Sequence, residues 1–180
     1  MAATLSLTHY GPAQLDSERK TLLDVYEDVY ADRLNDPFFS TDRYWQRLEG
    51  YASRDGFAFV VGTIDTEPIG YALGYTLPAG SGWWNELKSD AKEKDLIEDG
   101  RRTFALTEIM VSESRRRRGY ARQLHDQLLA DRDEERATLL VLPENAAAQA
   151  AYASWGWRKL GEIKPFDDSP TYDAMLLTLK

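Results

Sequence analysis

Four consecutive arginines followed by a glycine form the run of residues best suited to binding a charged ligand. Arg115, Arg116, Arg117 and Arg118 precede Gly119, at the junction of a predicted strand and a predicted helix. Backbone amides at a helix start lack intrahelical partners and bind anions, a glycine lets the backbone approach a phosphate closely, and guanidinium groups donate charge-assisted hydrogen bonds. The run predicts a diphosphate site; a solvated arginine run that caps a turn is the alternative interpretation.

Other kinds of catalytic site lack the residues they need. The sequence contains no cysteine, which excludes a cysteine nucleophile, a cysteine-based metal site and thiol redox chemistry. Its two histidines, His9 and His125, lie far apart without spaced carboxylate partners, so no metal site is predicted. The sequence has no P-loop motif and no G-x-G-x-x-G motif after a strand, which removes the usual support for nucleotide hydrolysis and dinucleotide redox chemistry.

Length, charge and hydropathy limit the partners of the protein. The 180 residues predict a single domain over 1–180. The net charge of −8 disfavours nucleic acid as a partner, and attachment through the arginine run is the weaker alternative. Because the sequence shows neither a signal-peptide pattern nor an apolar run of about 18 residues, we expect a cytoplasmic protein with no membrane partner.

Hydrophobic periodicity predicts the elements that must position the arginine run. Helices are expected at 16–34, 41–51, 121–129 and 146–154, with Asp16 or Ser17 capping the first and Ser40 or Thr41 starting the second. Strands are expected at 4–10, 57–63, 69–77, 103–111, 137–142, 155–163 and 172–179. This order predicts a mixed α/β domain with a parallel crossover in its second half.

The chain makes a long excursion between two of these strands. From Pro78 to Arg102, apolar residues are few after Trp83 and Trp84, and charged residues dominate. Loops of this length in compact domains are usually functional lids or disordered insertions, so residues 80–102 are predicted to be mobile. The carboxylates of this excursion either attract a cationic amine or form a solvated loop. Trp83 and Trp84 either line an acceptor pocket or pack as hydrophobic cover.

Two ordered motifs about thirty residues apart resemble those of the GNAT superfamily of acyl-CoA-dependent N-acetyltransferases. The pyrophosphate motif of that family, R/Q-x-x-G-x-G/A, is matched after the predicted strand at 103–111 by Arg116, Gly119 and Ala121. Its second motif, N-x-x-A-x-x-x-Y-x-x-x-G-F/W, is matched by Asn145, Ala148, Tyr152, Gly156 and Trp157. The resemblance covers 57–180 well. Glu113 departs from it, because a proline often stands there in the family.

The resemblance implies a fold and a cosubstrate. The expected fold is α/β (α+β): a mixed, mostly antiparallel sheet of about six or seven strands, with a splayed parallel pair in the middle and about four flanking helices. Acetyl-CoA is the implied acetyl donor. Its pantetheine arm would pair with the strand edge at Ile109, Met110 and Val111, and would bind Asn145 beyond the next strand. Its diphosphate would rest on the backbone amides of six residues: Arg116, Arg117, Arg118, Gly119, Tyr120 and Ala121.

Acetyl transfer requires a base and an acid. An amine with a pKa of about 10 is mostly protonated near neutrality, so a base must remove a proton before attack. Glu108, on the strand before the arginine run, is the candidate base, and a structural carboxylate is the alternative. The resemblance implies that Tyr152 protonates the departing thiolate, with a buried packing tyrosine as the alternative. A backbone amide at Met110 or Val111 is expected to stabilise the oxyanion.

The leading hypothesis is an enzyme that transfers an acetyl group from acetyl-CoA to a primary amine of a small molecule or a peptide. Direct attack by the amine agrees with the absence of cysteine. The alternative is a non-catalytic acyl-CoA sensor or interaction domain that keeps the phosphate site. The sequence leaves the oligomeric state open; dimers are common in the family, which makes a homodimer one assembly to test, with the closing strands as contact edges.

Overall fold

The computed structural model describes residues 3–180, which contain seven strands and four α-helices. The strands are β1 (Leu5–Tyr10), β2 (Ala58–Ile64), β3 (Glu67–Thr76), β4 (Thr103–Val111), β5 (Arg136–Val141), β6 (Arg158–Ile163) and β7 (Tyr172–Thr178). The helices are α1 (Arg19–Val29), α2 (Thr41–Ala52), α3 (Tyr120–Leu129) and α4 (Ala146–Ser154). The hydrogen-bonded strand order is β1-β2-β3-β4-β5-β7-β6, which confirms the mixed sheet with four helices.

The chain divides into two compact units, and β4 contributes to both. Unit 1 comprises residues 1–75 and 107–131, and unit 2 comprises residues 76–106 and 132–180. The border in β4 falls between Leu106 and Thr107. Each unit is described separately below.

Unit 1 holds β1, β2, most of β3, the second half of β4 and the helices α1, α2 and α3. β1 and β3 both pair antiparallel with β2. Apolar side chains at helical spacing bury one face of each helix, as the periodicity predicts; those of α1 and α2 are Leu22, Val25, Tyr26, Tyr44, Trp45 and Leu48. Tyrosines contribute to this core: the ring centroids of Tyr26 and Tyr44 lie 3.7 Å apart in a stacked arrangement.

Unit 2 contains the predicted parallel pair. The first half of β4 runs parallel to β5, with Thr103 opposite Arg136 and Ala105 opposite Thr138. β7 lies antiparallel to both β5 and β6. The parallel pairing is confirmed over these positions, and the splaying of the two strands stays a prediction.

Two helix boundaries test the capping predictions. Ser40 caps α2 as expected, because its hydroxyl accepts a hydrogen bond from the amide of Arg43 at 3.4 Å. The prediction for α1 is wrong at both ends: Glu18 occupies the N-cap without a side-chain bond, and the helix ends at Val29 instead of residue 34. Beyond Tyr30 the amides bond three residues back, in tight turns that lead to Pro37. Pro37 disfavours helical geometry only at Asp36, so it does not account for the end of α1 at Val29.

The 78–102 segment, which connects β3 to β4, is attached to the rest of unit 2 at several points. Lys88 exchanges two backbone hydrogen bonds with Glu162 of β6, at 2.8 and 3.1 Å. The Ser89 hydroxyl donates to the carbonyl of Leu160 at 2.6 Å. This approach requires Gly161, because a Cβ there would lie 2.3 Å from the Lys88 carbonyl oxygen. The mobility predicted for residues 80–102 stays a prediction, to be tested against these anchors.

Candidate active site

The predicted site residues divide between the two units. Unit 1 contains Glu108, the β4 positions Ile109, Met110 and Val111, and the whole arginine–glycine loop from Arg115 to Ala121. Unit 2 contains Trp83, Trp84, Asn145 and Tyr152. Each group is therefore built up within its own unit, and the joining of the two groups in one reaction stays a prediction.

Glu108 is a half-buried carboxyl group in the second half of β4. Burial removes water from the carboxyl and raises its pKa from 4.5 to about 7, while the nearby charge of Arg47 opposes this rise. The carboxyl has no hydrogen-bond or ion-pair partner within the part of the chain that the structure describes, residues 3–180. A carboxyl with a pKa near the working pH exchanges protons readily, which is what a general base must do.

Two fully buried tyrosines lie near this carboxyl. Tyr44 of α2 and Tyr71 of β3 are both 0% exposed, and their hydroxyl oxygens lie 2.5 Å apart. Burial raises the pKa of both phenols well above the usual value, and the charge of Glu108 adds to the effect in each case. Both hydroxyls therefore keep their protons at neutral pH, and one of them donates to the other.

The end of β4 lies close against β3. The Ser112 amide donates to the Ile69 carbonyl at 2.8 Å, immediately after the strand ends. At Gly70, an added Cβ would lie 2.4 Å from the carbonyl oxygen of Met110, so only glycine permits this approach. Gly70 thereby fixes the course of the strand that carries Ile109, Met110 and Val111. That their backbone edge binds pantetheine stays a prediction.

The loop before α3 has the backbone shape of an anion site. Arg117 and Gly119 have positive φ angles of 62° and 78°, and Gly119 is the N-cap of α3. Left-handed residues next to a helix start turn successive amides toward one side of the chain, where they bind an anion. Gly119 has open space at its missing Cβ, so no side chain obstructs the approach of a ligand there. That this loop binds the diphosphate of coenzyme A stays a prediction.

The four arginines are not equivalent. Arg115 forms an ion pair with Glu67 at 2.7 Å, and Arg116 donates through Nε to the carbonyl of Val111 at 3.2 Å. The side chains of Arg117 and Arg118 are exposed, and neither forms a hydrogen bond or ion pair among residues 3–180. The first two arginines therefore brace the loop, and the last two are the ones available to a phosphate.

Glu113, the departure from the family pattern, has a structural counterpart in α1. Its amide donates to a carboxylate oxygen of Asp28 at 2.9 Å. A proline at position 113 could not donate this bond, because proline lacks an N–H group. Asp28 thus connects the end of α1 to the turn that leads into the arginine run.

In unit 2, Asn145 is the N-cap of α4. Its side-chain oxygen accepts a hydrogen bond from the Ala148 amide at 3.1 Å, which satisfies one of the free amides of the first turn. The side-chain NH2 group stays available as a donor. The predicted contact with pantetheine would therefore use the amide nitrogen and not the oxygen.

Tyr152 lies near the end of α4, which the left-handed Gly156 closes. The residue is buried, with 8% exposure, and its ring packs edge-on against Trp155 and Trp157. These contacts fix the orientation of the ring. They agree with a packing role and equally with an acid held in place, so the acid role stays a prediction.

The tryptophan pair of the excursion belongs to a buried polar cluster. Trp84 is 6% exposed, and its indole N–H donates to Oε1 of Glu98 at 2.9 Å. The same oxygen accepts hydrogen bonds from Thr103 at 2.7 Å and from Arg136 at 2.9 Å. Glu98 therefore does not belong to the solvated carboxylates that the sequence suggests for this segment. That Trp83 and Trp84 line the acceptor pocket stays a prediction.

Sequence reasoning missed Tyr44, Tyr71 and Arg47 as neighbours of the candidate base. The pattern of buried positions places Tyr44 and Tyr71 in the core, but it does not show that their hydroxyl groups meet. The one available signal is chemical: a buried tyrosine hydroxyl needs a hydrogen-bond partner. Two buried tyrosines on different core elements are therefore candidate hydrogen-bond partners for each other.

Two further features concern other classes of site. None of the helices within residues 3–180 is both long enough and apolar enough to cross a membrane. The same residues contain no group of three or more histidine, aspartate or glutamate side chains arranged to hold a metal ion.

The sequence and the fold of this chain are similar to those of known proteins. A sequence model described as the acetyltransferase (GNAT) family matches residues 20–157. No curated protein matches the sequence. Among solved structures, an alanine N-acetyltransferase for a ribosomal protein from Escherichia coli is 14% identical, with a TM-score of 0.65 over 98% of this chain and 95% of that one.

Two other solved structures have similar folds. An acetyltransferase of the GNAT family from Staphylococcus aureus is 16% identical, with a TM-score of 0.65 over 98% of this chain and 100% of that one. The PaiA N-acetyltransferase from Thermoplasma acidophilum, in complex with coenzyme A, is 10% identical, with a TM-score of 0.58 over 97% and 99%. At these identities the likeness concerns the fold alone.

Proposed function

The chain belongs to the acetyltransferase (GNAT) family, which uses acetyl-CoA, and on that premise we propose that it transfers an acetyl group from acetyl-CoA to a primary amine. The observation that carries the proposal is Glu108: a half-buried carboxyl, free of protein partners, whose pKa is raised to about 7. It lies on the same strand as Ile109, Met110 and Val111, directly before the arginine–glycine loop. Base and phosphate site are thus both parts of unit 1.

The reaction balances with two protein groups. Glu108 accepts a proton from the ammonium form of the acceptor, directly or through a water molecule. The neutral amine attacks the thioester carbonyl and a C–N bond forms. As the C–S bond breaks, the nitrogen loses its second proton to solvent, which also reprotonates Tyr152 and receives the proton that Glu108 took up. Tyr152 donates a proton to the departing thiolate, and its assignment rests on the resemblance of its motif. A backbone amide at Met110 or Val111 stabilises the negative oxygen of the carbonyl.

The acceptor is an amine of a small molecule or of a peptide. One protein of similar fold acts on an alanine of a ribosomal protein, which makes a peptide amine one class to test. Carboxylates of the 78–102 segment that are exposed, such as Asp90 and Glu93, favour a cationic acceptor. Glu98 is not among them because Arg136 neutralises it. A homodimer is one assembly to test.

The experiment compares Glu108→Gln with the exposed-site control Asp55→Asn, since both replace a carboxylate with an amide. Thiol release from acetyl-CoA is measured against a panel of amines and peptides, and acetyl-CoA binding is measured by calorimetry. We expect Glu108→Gln to lower turnover by about 10²–10⁴-fold while acetyl-CoA still binds. Equal turnover in the Gln variant would remove Glu108 from the mechanism.

A second variant addresses Tyr152 alone. Tyr152→Phe should lower turnover more than it weakens acetyl-CoA binding, because the ring contacts are kept and only the proton donor is lost. Saturating acetyl-CoA binding by the unmodified protein, with no thiol release for any amine in the panel, would favour the non-catalytic sensor instead.

A further inference from the structure

Asp28 lies at a place where the helix that carries it does not favour a carboxylate. It is the last but one residue of α1, which ends at Val29. Aspartate has a low helix propensity, and the free carbonyl groups of a C-terminal turn repel a negative charge. The first turn of α1, where an acidic residue would stabilise the helix, contains none. Aspartate at position 28 therefore needs an explanation outside the helix.

The contact of Asp28 outside the helix is with the backbone of the loop that precedes α3. One of its carboxylate oxygens accepts a hydrogen bond from the Glu113 amide at 2.9 Å, across 85 residues of sequence. Glu113 begins a single 3-10 turn, Glu113–Arg115, and the first amide of such a turn has no partner within it. Both residues belong to unit 1. Asp28 thus supplies from α1 the partner that this amide lacks.

The loop after this turn has a backbone shape that needs support. Arg117 has a φ angle of 62°, in the left-handed region that residues other than glycine rarely adopt. Such residues persist only where their surroundings hold them in place. Three hydrogen bonds fix the backbone before Arg117: from the Ser112 amide to Ile69, from the Glu113 amide to Asp28, and from the Arg116 side chain to the Val111 carbonyl. Only the second of these three bonds connects the loop to a helix.

We propose that Asp28 is a positioning residue for acetyl-CoA: its bond to the Glu113 amide holds the loop from Arg115 to Ala121 in the shape that receives the diphosphate. The inference rests on the proposed function, in which this loop is the diphosphate site. Asp28 acts through the backbone, whereas its negative charge weakens the binding of an anion. The bond and the charge therefore have opposite effects on affinity, and substitutions can separate them.

Two substitutions at position 28 separate the bond from the charge. Asp28→Asn keeps an oxygen that accepts from Glu113 and removes the charge, so acetyl-CoA affinity should stay equal or rise. Asp28→Ala removes both, and its affinity should fall about three- to tenfold below that of Asp28→Asn, the range of one hydrogen bond. Asp24→Ala is the matched control, because Asp24 lies one turn earlier on α1, is exposed and pairs with Lys20. This control should not lower the affinity.

Stability distinguishes a positioning role from a purely structural one. Alanine is the stronger helix former, and it removes a charge from the C-terminal turn of α1. Asp28→Ala should therefore unfold at nearly the same urea concentration as the unmodified protein, although it binds acetyl-CoA more weakly. Parallel losses of stability and affinity would mean that Asp28 only supports the fold, and would overturn the inference.

Proline at position 113 supplies an independent test. The first position of a helical turn accepts proline, and Ser112 has the extended geometry, with ψ at 141°, that a following proline requires. Glu113→Pro holds the backbone through its ring and lacks the N–H group that bonds to Asp28. Adding Asp28→Ala to Glu113→Pro should therefore not change acetyl-CoA affinity further. A further loss as large as that of Asp28→Ala alone would show that the bond is not the cause.

The inference and the function on which it rests fail in different experiments. The affinities of the Asp28 series are measured by calorimetric titration with acetyl-CoA, in proteins that keep Glu108. Equal affinities of Asp28→Ala, Asp28→Asn and Asp24→Ala would overturn the inference, even if Glu108→Gln abolishes turnover. The expected order of affinities, together with unchanged turnover in Glu108→Gln, would support the positioning role and remove the base from the proposed function.

Discussion

Both units of the protein bury a glutamate, and the two side chains have opposite surroundings. Glu98 of unit 2 is fully enclosed, and its Oε1 accepts bonds from an indole, a hydroxyl and a guanidinium group. Glu108 of unit 1 has no such partner among residues 3–180, and burial raises its pKa to about 7. The same residue type is thus neutralised by Arg136 in one unit and left able to take up a proton in the other.

The difference shows how partners decide between stability and chemistry. A buried carboxylate with three donors, one of them a cation, joins the elements that supply those donors. A carboxyl deprived of water and of donors becomes neutral at a pH where a catalytic base must work. Removing the Glu98 carboxylate should therefore lower stability, and removing the Glu108 carboxyl should lower activity.

The largest expected effect is on the Glu98 side of the comparison. Glu98→Ala leaves Arg136 buried without its carboxylate, and such losses cost about 3–5 kcal/mol. Urea unfolding at pH 7 measures the change, with Glu108→Gln as the contrasting variant. If Glu98→Ala unfolds at the same urea concentration as the unmodified protein, the stabilising role assigned to this cluster is wrong.

The next effect is the dependence of stability on pH, which should have opposite signs for two buried carboxyls. The folded pKa of Glu108 is raised, so its contribution to stability is full below pH 4.5 and is lost as the pH rises to about 7. The loss is at most about 3 kcal/mol, reduced by partial exposure. In urea unfolding, the stability of the Glu108→Gln variant relative to the unmodified protein should therefore increase as the pH rises from 4.5 to 8.

Glu134 of unit 2 supplies the contrast. Burial alone would raise its pKa, but hydrogen bonds from Arg132 and Thr76 outweigh burial and lower it. Its contribution is therefore present above its unfolded pKa and lost as the pH falls. The Glu134→Gln variant should be less stable to urea than the unmodified protein near neutral pH, and this difference should disappear in acid. Equal pH dependence for the Glu108 and Glu134 variants would contradict the contrast.

A smaller effect is expected from Gly70→Ala, which presses a methyl group against the Met110 carbonyl oxygen. Overpacking of this kind costs about 1–3 kcal/mol, and β4 must move to relieve it. Acetyl-CoA binding by calorimetry should weaken together with stability. Gly50→Ala in α2 is the control, since a Cβ there meets nothing within 4 Å. A Gly70→Ala protein that matches this control would show that the approach of β3 to β4 is not tight.

The smallest effects concern the arginine run. Arg115→Ala removes an exposed ion pair with Glu67, which is worth about 0–1 kcal/mol of stability. Its acetyl-CoA affinity should barely change, whereas Arg117→Ala should weaken binding severalfold because that guanidinium is uncommitted. Calorimetric titrations of the two variants decide. A larger loss of affinity in Arg115→Ala would reverse the division of the run into bracing and binding residues.

Local chemistry explains how much of the site the sequence could predict. Gly119 follows four arginines at a strand-to-helix junction, and the left-handed angle and the helix start are found there. Glu108 is recognisable because its position relative to that loop is fixed by a single strand. Such features depend on neighbours in sequence, so a motif is enough to predict them.

Features that depend on distant residues escaped prediction. Tyr44 and Tyr71 are 27 residues apart, and nothing in either stretch specifies that their hydroxyls meet. Glu98 looked like one more carboxylate of a charged loop, because its partner Arg136 comes 38 residues later. The early end of α1 was missed because apolar residues continue at helical spacing to Leu34, while the turns toward Pro37 override that pattern.

The meeting of Lys88 with the outer edge of β6 has a consequence for protein engineering. An uncovered edge strand invites pairing with another molecule, and thus aggregation. Here the 78–102 segment supplies backbone partners at Glu162, and Gly161 admits it. Shortening this segment would uncover that edge. Variants that shorten or replace this segment should therefore keep Lys88, Ser89 and Gly161 fixed, so that the edge of β6 stays covered.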